Sequence, residues 1–355
     1  MNITNYLIWF SIIVLMTAAL VILFKKTWRT TSLLRSYTMN LSLLMLTLIV
    51  LFFFIDVYFY TFFVRSDSFS FTLANQRWFQ LYWKPINQLG YRDETRFEEE
   101  LQNNQLIFVV GDSFVAGQGI KNYQDRFSNR LEKKLYKQGW RVLNIAQVGW
   151  STTEEYQAVI SHPYKPKILI LSYFVDDIRG ATHDARVKEK FSFTELVTPP
   201  PPLLGWFVNH SYFLNFSYWE WYRYHNQKPE EIYWQKLKDF YNEKGEAWQV
   251  HQEELRAFIE YANKNKVVLL PILFPNLMSI STSKPIISQV FYFFQHLGIK
   301  SIDLSSTFSR CSPMDLIVNN MDAHPNELVN SQVAEILYDE VMNILSGTTP
   351  QEGEK

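Results

Sequence analysis

Cysteine is nearly absent: Cys311 stands alone among 355 residues, which excludes an intrachain disulfide framework and a cysteine-rich zinc site. Neither charge is in surplus, with 34 Lys and Arg against 35 Asp and Glu and a net charge of −1. A nucleic-acid binder needs a basic surface for phosphate contacts, so no nucleic acid is expected as a partner. Internal repeats are missing, and biased composition is confined to the Pro199–Pro202 run and the polar tail at 349–355. What is plentiful is apolar and aromatic: 47% and 17% of the chain. That supplies a buried core and excludes a disordered or fibrous protein.

The apolar residues are unevenly spread. Tyr6 to Phe24 contains no charge and is followed directly by Lys25 and Lys26; at 1.5 Å per residue it spans roughly the ~30 Å hydrocarbon core. The preceding MNITN has no basic residue, so the segment reads as an uncleaved helix rather than a signal peptide. A second run, Leu41 to Val64, is broken only by Asp56 and carries Tyr58, Phe59, Tyr60, Phe62 and Phe63 after it. Asp56 is expected to reach toward the interface under this aromatic belt. Lys25, Lys26, Arg29 and Arg35 lie between the runs without an acid, which places that loop in the cytoplasm and both chain ends outside. The expectation is a two-pass inner-membrane hairpin over residues 1–64, with the remainder exported. A lone cysteine suits an oxidising compartment.

After a connector at 65–100, apolar runs alternate with amphipathic helices, the pattern of a parallel sheet covered on both faces. Strands are expected at 106–110, 142–146, 168–173, 267–273 and 301–304, and helices at 123–137, 152–160, 247–265, 285–297 and 326–345. Ser151 with Glu154 fits a capping box, and Pro325 fits a first helical position. The domain is expected over 101–348, with an aromatic insertion at 178–245 that is either a helical subdomain or a wall over the ligand site. Residues 205–224 are expected to border the site's mouth, because the insertion follows the third strand at the edge where such sheets bind ligands.

Four segments fall just beyond these strands or just before the last helix, so the fold brings them together. Gly111-Asp112-Ser113 ends the first strand, Gly149 follows the second, Asp176-Asp177 follows the third, and Asp322-Ala323-His324 precedes the final helix. This assigns Ser113 as nucleophile, His324 as its general base and Asp322 as the group that orients the imidazole. Backbone N–H groups at Ser113 and Gly149 would form an oxyanion hole. His162, His183, His210, His225, His251 and His296 lack the spacing of a metal site, and Cys311 reads as a buried thiol.

The arrangement resembles the SGNH/GDSL hydrolase superfamily over about Leu106 to Leu345. GDS at Ser113 matches its first block, Gly149 its second, YFVDDI its third and DAHPN its fifth. The resemblance implies a three-layer flavodoxin-like α/β sandwich and a serine esterase or O-acyltransferase. It further implies an acylated sugar or lipid as substrate, and no cofactor or metal. The GYRD segment at Gly90 to Asp93 is similar to one preceding the catalytic domain in membrane-linked relatives. Asp176 departs from the pattern, standing where the family places an oxyanion-hole Asn. A second reading follows from that departure and from the aromatic insertion: a non-catalytic scaffold of an envelope-assembly complex.

Overall fold

The computed structural model describes residues 3–27, 33–68, 70–191, 197, 199–226 and 228–347; Arg29 and the tail at 349–355 lie outside them. The chain divides into two compact units, Met1–Gln80 with Val197–Lys228, and Leu81–Leu196 with Pro229–Lys355. In the first, helix α1 (Ile3–Thr27) packs on α2 (Leu33–Phe62), with the Phe10 and Phe53 rings 5.2 Å apart. Met39–Phe62 is long and apolar enough to cross a membrane; the apolar part of α1, Phe10–Leu23, is shorter. Helix α3 (Leu73–Tyr82) follows.

The second unit opens on α4 (Glu98–Asn103) and β1 (Gln105–Gly111). Ile107 to Val110 are fully buried, as expected of a strand covered on both faces. Next come α5 (Ser113–Ala116), α6 (Phe127–Leu135), β2 (Trp140–Ala146), α7 (Thr152–Ser161) and β3 (Ile168–Phe174). The helix expected at 123–137 is interrupted. Asn122 Oδ1 caps a 3₁₀ turn at Tyr123–Asp125, Arg126 is extended, and α6 starts only at Phe127. The Ser151–Glu154 capping box is present at the start of α7.

The insertion is divided between the units. Helices α8 (Pro202–His210) and α9 (Tyr212–His225) belong to the first, whereas α10 (Lys228–Phe240) lies almost wholly in the second. Helix α9 packs on the end of α2 and the residue after it through the Phe59–Phe216 and Phe63–Phe216 ring pairs, at 4.9 and 4.6 Å. Asp56 is buried, and its Oδ1 accepts hydrogen bonds from Ser211 Oγ at 2.6 Å and Phe213 N at 2.9 Å. It anchors the start of α9 instead of reaching outward to an interface.

The chain continues through α11 (Glu246–Asn265), β4 (Val268–Phe274), α12 (Ile280–His296), β5 (Ile302–Asp303), α13 (Ser305–Phe308) and α14 (Pro313–Leu316). A two-stranded antiparallel ribbon, β6 (Ile317–Asn319) with β7 (Asp322–Pro325), precedes α15 (Glu327–Ser346). Pro325 therefore ends a strand rather than opening the helix. Asn326 is the cap, its side chain accepting from Leu328 N and Val329 N. Pro285, expected near a helix start, sits within α12. Cys311 is exposed in the turn after α13, where Phe308 fills the core instead.

The main sheet is parallel with order β2-β1-β3-β4-β5. The chain leaves β1 for β2 on one side and returns to β3 on the other, so the ends of β1 and β3 form the switch point where doubly wound sheets bind ligands. Ile107 and Val109 face a core shared with Leu131 of α6 and with Val333 and Leu337 of α15. Strand alternation turns Phe108 the opposite way, onto His162 just past α7. Helices α7 and α11 cover that second face.

Candidate active site

The carboxyl end of β1 delivers Asp112 as the N-cap of α5, with its Oδ1 accepting from Phe114 N at 2.8 Å. Ser113 is the first residue of that helix. Its Oγ lies 2.7 Å from His324 Nε2 and 3.4 Å from Asp112 Oδ2, so the imidazole is the closer partner. His324 sits on β7, where its Nδ1 pairs with Asp322 Oδ1 and its backbone N–H donates to the same oxygen at 3.2 Å. With Nδ1 donating to Asp322, Nε2 is left as the acceptor for the serine proton. Although burial opposes its charge, Asp322, then Asp112 and Asp176, hold the imidazole above its ordinary pKa. Gly119 permits the close approach of the two segments. At φ +86, a Cβ there would meet Val318 at 2.4 Å and Asp322 Oδ2 at 3.0 Å.

Gly149 lies beyond the end of β2, beside β1 in the sheet, and has φ +81. Asp176 follows β3 on the other flank, immediately before the 3₁₀ helix Asp177–His183. The three strand ends thus bring Gly149, Ser113 and Asp176 to one edge. Asp176 is ion-paired: Arg179 Nε stands 3.1 Å from its Oδ2, with both side chains 13% exposed. Arg179 also donates to the Asp176 carbonyl at 3.0 Å. Despite burial, Asp176, then Asp177, hold the guanidinium above its usual pKa.

Around this pair is a cluster of acids, of which the sequence singled out the three aspartates but not Glu155. Asp112, Asp176 and Asp177 bring carboxylate oxygens within 4.8 Å of one another, the spacing of metal ligands. Fully buried Glu155 of α7 joins them. Burial, then Asp112, raises the Glu155 pKa well above the carboxylate range; burial, then Glu155, does the same to Asp177. Burial and Asp176 raise Asp112 to about 6. Protons on Glu155 and Asp177, together with the Arg179 guanidinium, balance the cluster's charge, and this fits the donor set as well as a cation would.

A brace beneath the serine was also missed. Arg92 is buried, and its guanidinium donates to the carbonyls of Gly117 at 2.5 Å, Ile120 at 2.7 Å and Tyr82 at 2.9 Å. Arg126 donates to the Arg92 carbonyl and pairs with Asp93 Oδ1 at 3.2 Å; Asp93 Oδ2 accepts from Asn144 N on β2. Burial, then Arg126, lowers Arg92 to about 9. The available signal was GYRD itself, since charged residues flanked by aromatics in a connector are candidates for burial. Among the described insertion residues, Tyr233 of α10 interacts electrostatically with Asp176 and Arg179, Tyr241 with Asp176, and the Phe191 ring lies 5.8 Å from the Arg179 guanidinium. Residues 205–224, expected at the mouth, pack within the first unit. His251 is buried and hydrogen-bonded to both Tyr173 and Glu254.

No protein-family model matches the sequence, and no curated protein matches it. Among solved structures, the chain is similar to a lipase/acylhydrolase from Enterococcus faecalis, at 13% identity and a TM-score of 0.40 over 70% of this chain and all of that one. It is also similar to a psychrotrophic esterase from Pseudoalteromonas, at 12% and 0.38 over 68% of this chain and all of that one. A two-domain esterase active on acetylated mannans matches at 8% and 0.39, over 72% of this chain and 54% of that one. Likeness this distant leaves the function to be argued from the site itself.

Proposed function

We propose that the chain is a membrane-anchored serine esterase or O-acyltransferase of SGNH type, acting outside the cytoplasmic membrane on an acylated envelope glycan or lipid. The observation that carries the chemistry is the run of contacts from Ser113 Oγ through His324 to Asp322. Ser113 Oγ attacks the ester carbonyl carbon while its proton passes to His324 Nε2, and Asp322 stabilises the resulting imidazolium. Backbone N–H groups of Ser113 and Gly149 receive the carbonyl oxygen as it gains charge. Collapse breaks the bond to the alcohol, which takes the proton from His324 and leaves an acyl-serine. Water or a sugar hydroxyl then gives its proton to His324 and attacks the acyl carbon, the acyl–Oγ bond breaks, and Ser113 Oγ takes the proton back from His324. Transfer and hydrolysis differ only in that last acceptor.

Anchoring is supported by the apolar Met39–Phe62 helix, with α1 as the second pass, and by the basic residues between them. The test uses the full chain in detergent with an active-serine phosphonate, then a chromogenic acetyl ester with and without sugar acceptors. Labelling lost in Ser113→Ala supports the enzyme, and an acceptor-dependent acetylated product selects transfer. Equal failure of wild type and variant to label would favour the scaffold reading.

A further inference from the structure

Helix α9 runs alongside the last third of α2 in matched register. Asp56 meets Ser211 and Phe213, Phe59 meets Phe213 and Phe216, Phe63 meets Phe216, and Arg65 pairs with Glu220. Ten residues, from Asp56 of α2 to Arg65 just beyond its end, correspond to ten others, from Ser211 at the N-cap of α9 to Glu220, so the two segments rise together. Asp56 lies six residues before Phe62, the end of the apolar stretch. At 1.5 Å per residue, the start of α9 is therefore about 9 Å inside that end. The chain reaches this depth through α8, which carries no Asp, Glu, Lys or Arg. Its outward face is apolar and aromatic: Leu203 is 80% exposed, and Leu204, Trp206 and Phe207 are also exposed. Charge returns only higher on α9, where Glu220 pairs with Arg65 and Arg223.

We infer that α8 and the start of α9 form a third membrane-contacting element, with the exposed face of α8 seated among lipid acyl chains just below the headgroups. An uncharged face continuous with a lipid-facing helix, and aromatic at its end, is the composition of an interfacial segment. The role of Asp56 follows. Helix α9 begins with unsatisfied N–H groups at a depth where water is scarce, and the carboxylate accepts one of them together with the Ser211 hydroxyl.

This inference rests on the membrane reading above, and the experiment separates the two. In a full-length Cys311→Ser background, Leu203→Cys and Leu51→Cys are each labelled with an environment-sensitive fluorophore. Each is then reconstituted into phosphatidylcholine vesicles containing spin-labelled phosphatidylcholine. Both positions are exposed, so neither change disturbs packing. Quenching of both labels by about two-fold or more, with aqueous iodide ineffective on either, is the expected result. Lipid quenching at position 51 with iodide quenching at 203 would overturn the inference and leave the anchor standing. No lipid quenching at 51 would overturn the anchor and the inference with it.

Discussion

Arg179 is bound to Asp176 twice, through a 3.1 Å ion pair with the carboxylate and a 3.0 Å hydrogen bond to the carbonyl. An unpaired carboxylate about 3.5 Å from an oxyanion would repel it by roughly 5 kcal/mol at an effective dielectric near 20. Under the proposed function, the guanidinium offsets that charge at its source, so an Asp is tolerable where the resemblance places a neutral amide. Arg179→Gln should lower turnover about 100-fold, and in an Asp176→Asn background the same change should cost less than about tenfold. Equal losses in both backgrounds, measured as kcat on an acetyl ester, would show that Arg179 acts on something other than the charge of Asp176.

As the proposed general base, His324 must be neutral to accept the serine proton, and its pKa lies above the ordinary imidazole value because the pull of Asp322 outweighs burial. Activity should therefore rise as pH increases through a value above 6.5, the imidazole giving up its proton there. Asp322→Asn should move this limb toward lower pH and reduce kcat by about 10³-fold or more. Asp112→Asn, which removes a weaker contribution of the same sign, should shift the limb downward with a smaller loss. A pH–rate profile of each variant checks both.

Stability should respond to pH in the opposite sense to that of a salt-bridged acid. Glu155 keeps its proton in the folded chain, owing first to burial and then to Asp112, whereas the unfolded chain releases it near 4.5. From that pH upward the folded state binds more protons than the unfolded one, so stability falls until the folded-state pKa is passed. Glu155→Gln should remove that dependence and raise Tm at about pH 8 relative to about pH 5, by a few degrees. Thermal unfolding at the two pH values measures it.

Arg92→Met keeps the side chain's bulk and removes the donors to the Gly117, Ile120 and Tyr82 carbonyls. Stranding buried acceptors should cost about 2–5 kcal/mol. Arg92→Lys should recover only part of this, since an ammonium cannot reproduce the guanidinium fork. Denaturant unfolding gives the ordering wild type, Lys, Met.

The five strands of the main sheet were legible because four are mainly apolar runs, interrupted only by isolated polar residues such as Asn144 and Ser172, a pattern with few alternatives between turn residues. Ser113, Asp322 and His324 were legible because a strand's end and a helix's start restrict where short polar motifs can lie. The β6–β7 ribbon was not, since IVN and DAHP are too short and too polar to show an alternation. Arg92, Asp93 and Arg126 escaped for a related reason: charge reads as solvent exposure until the partners are seen. The division of the insertion between two units depends on contacts such as Ser211 with Asp56, 155 positions apart, which no local pattern records.

The bond between Ser113 and His324 joins residues 211 positions apart, and Gly119 must fit against Val318 and Asp322 for it to form. Contacts of such separation close late, because the intervening loop has to be ordered before they return any free energy. A chain emerging from its N-terminus would thus present Ser113 as an ordinary alcohol through most of its synthesis. Under the proposed function, its reactivity would switch on only when the C-terminal ribbon docks, which keeps an incompletely folded polypeptide from attacking esters indiscriminately.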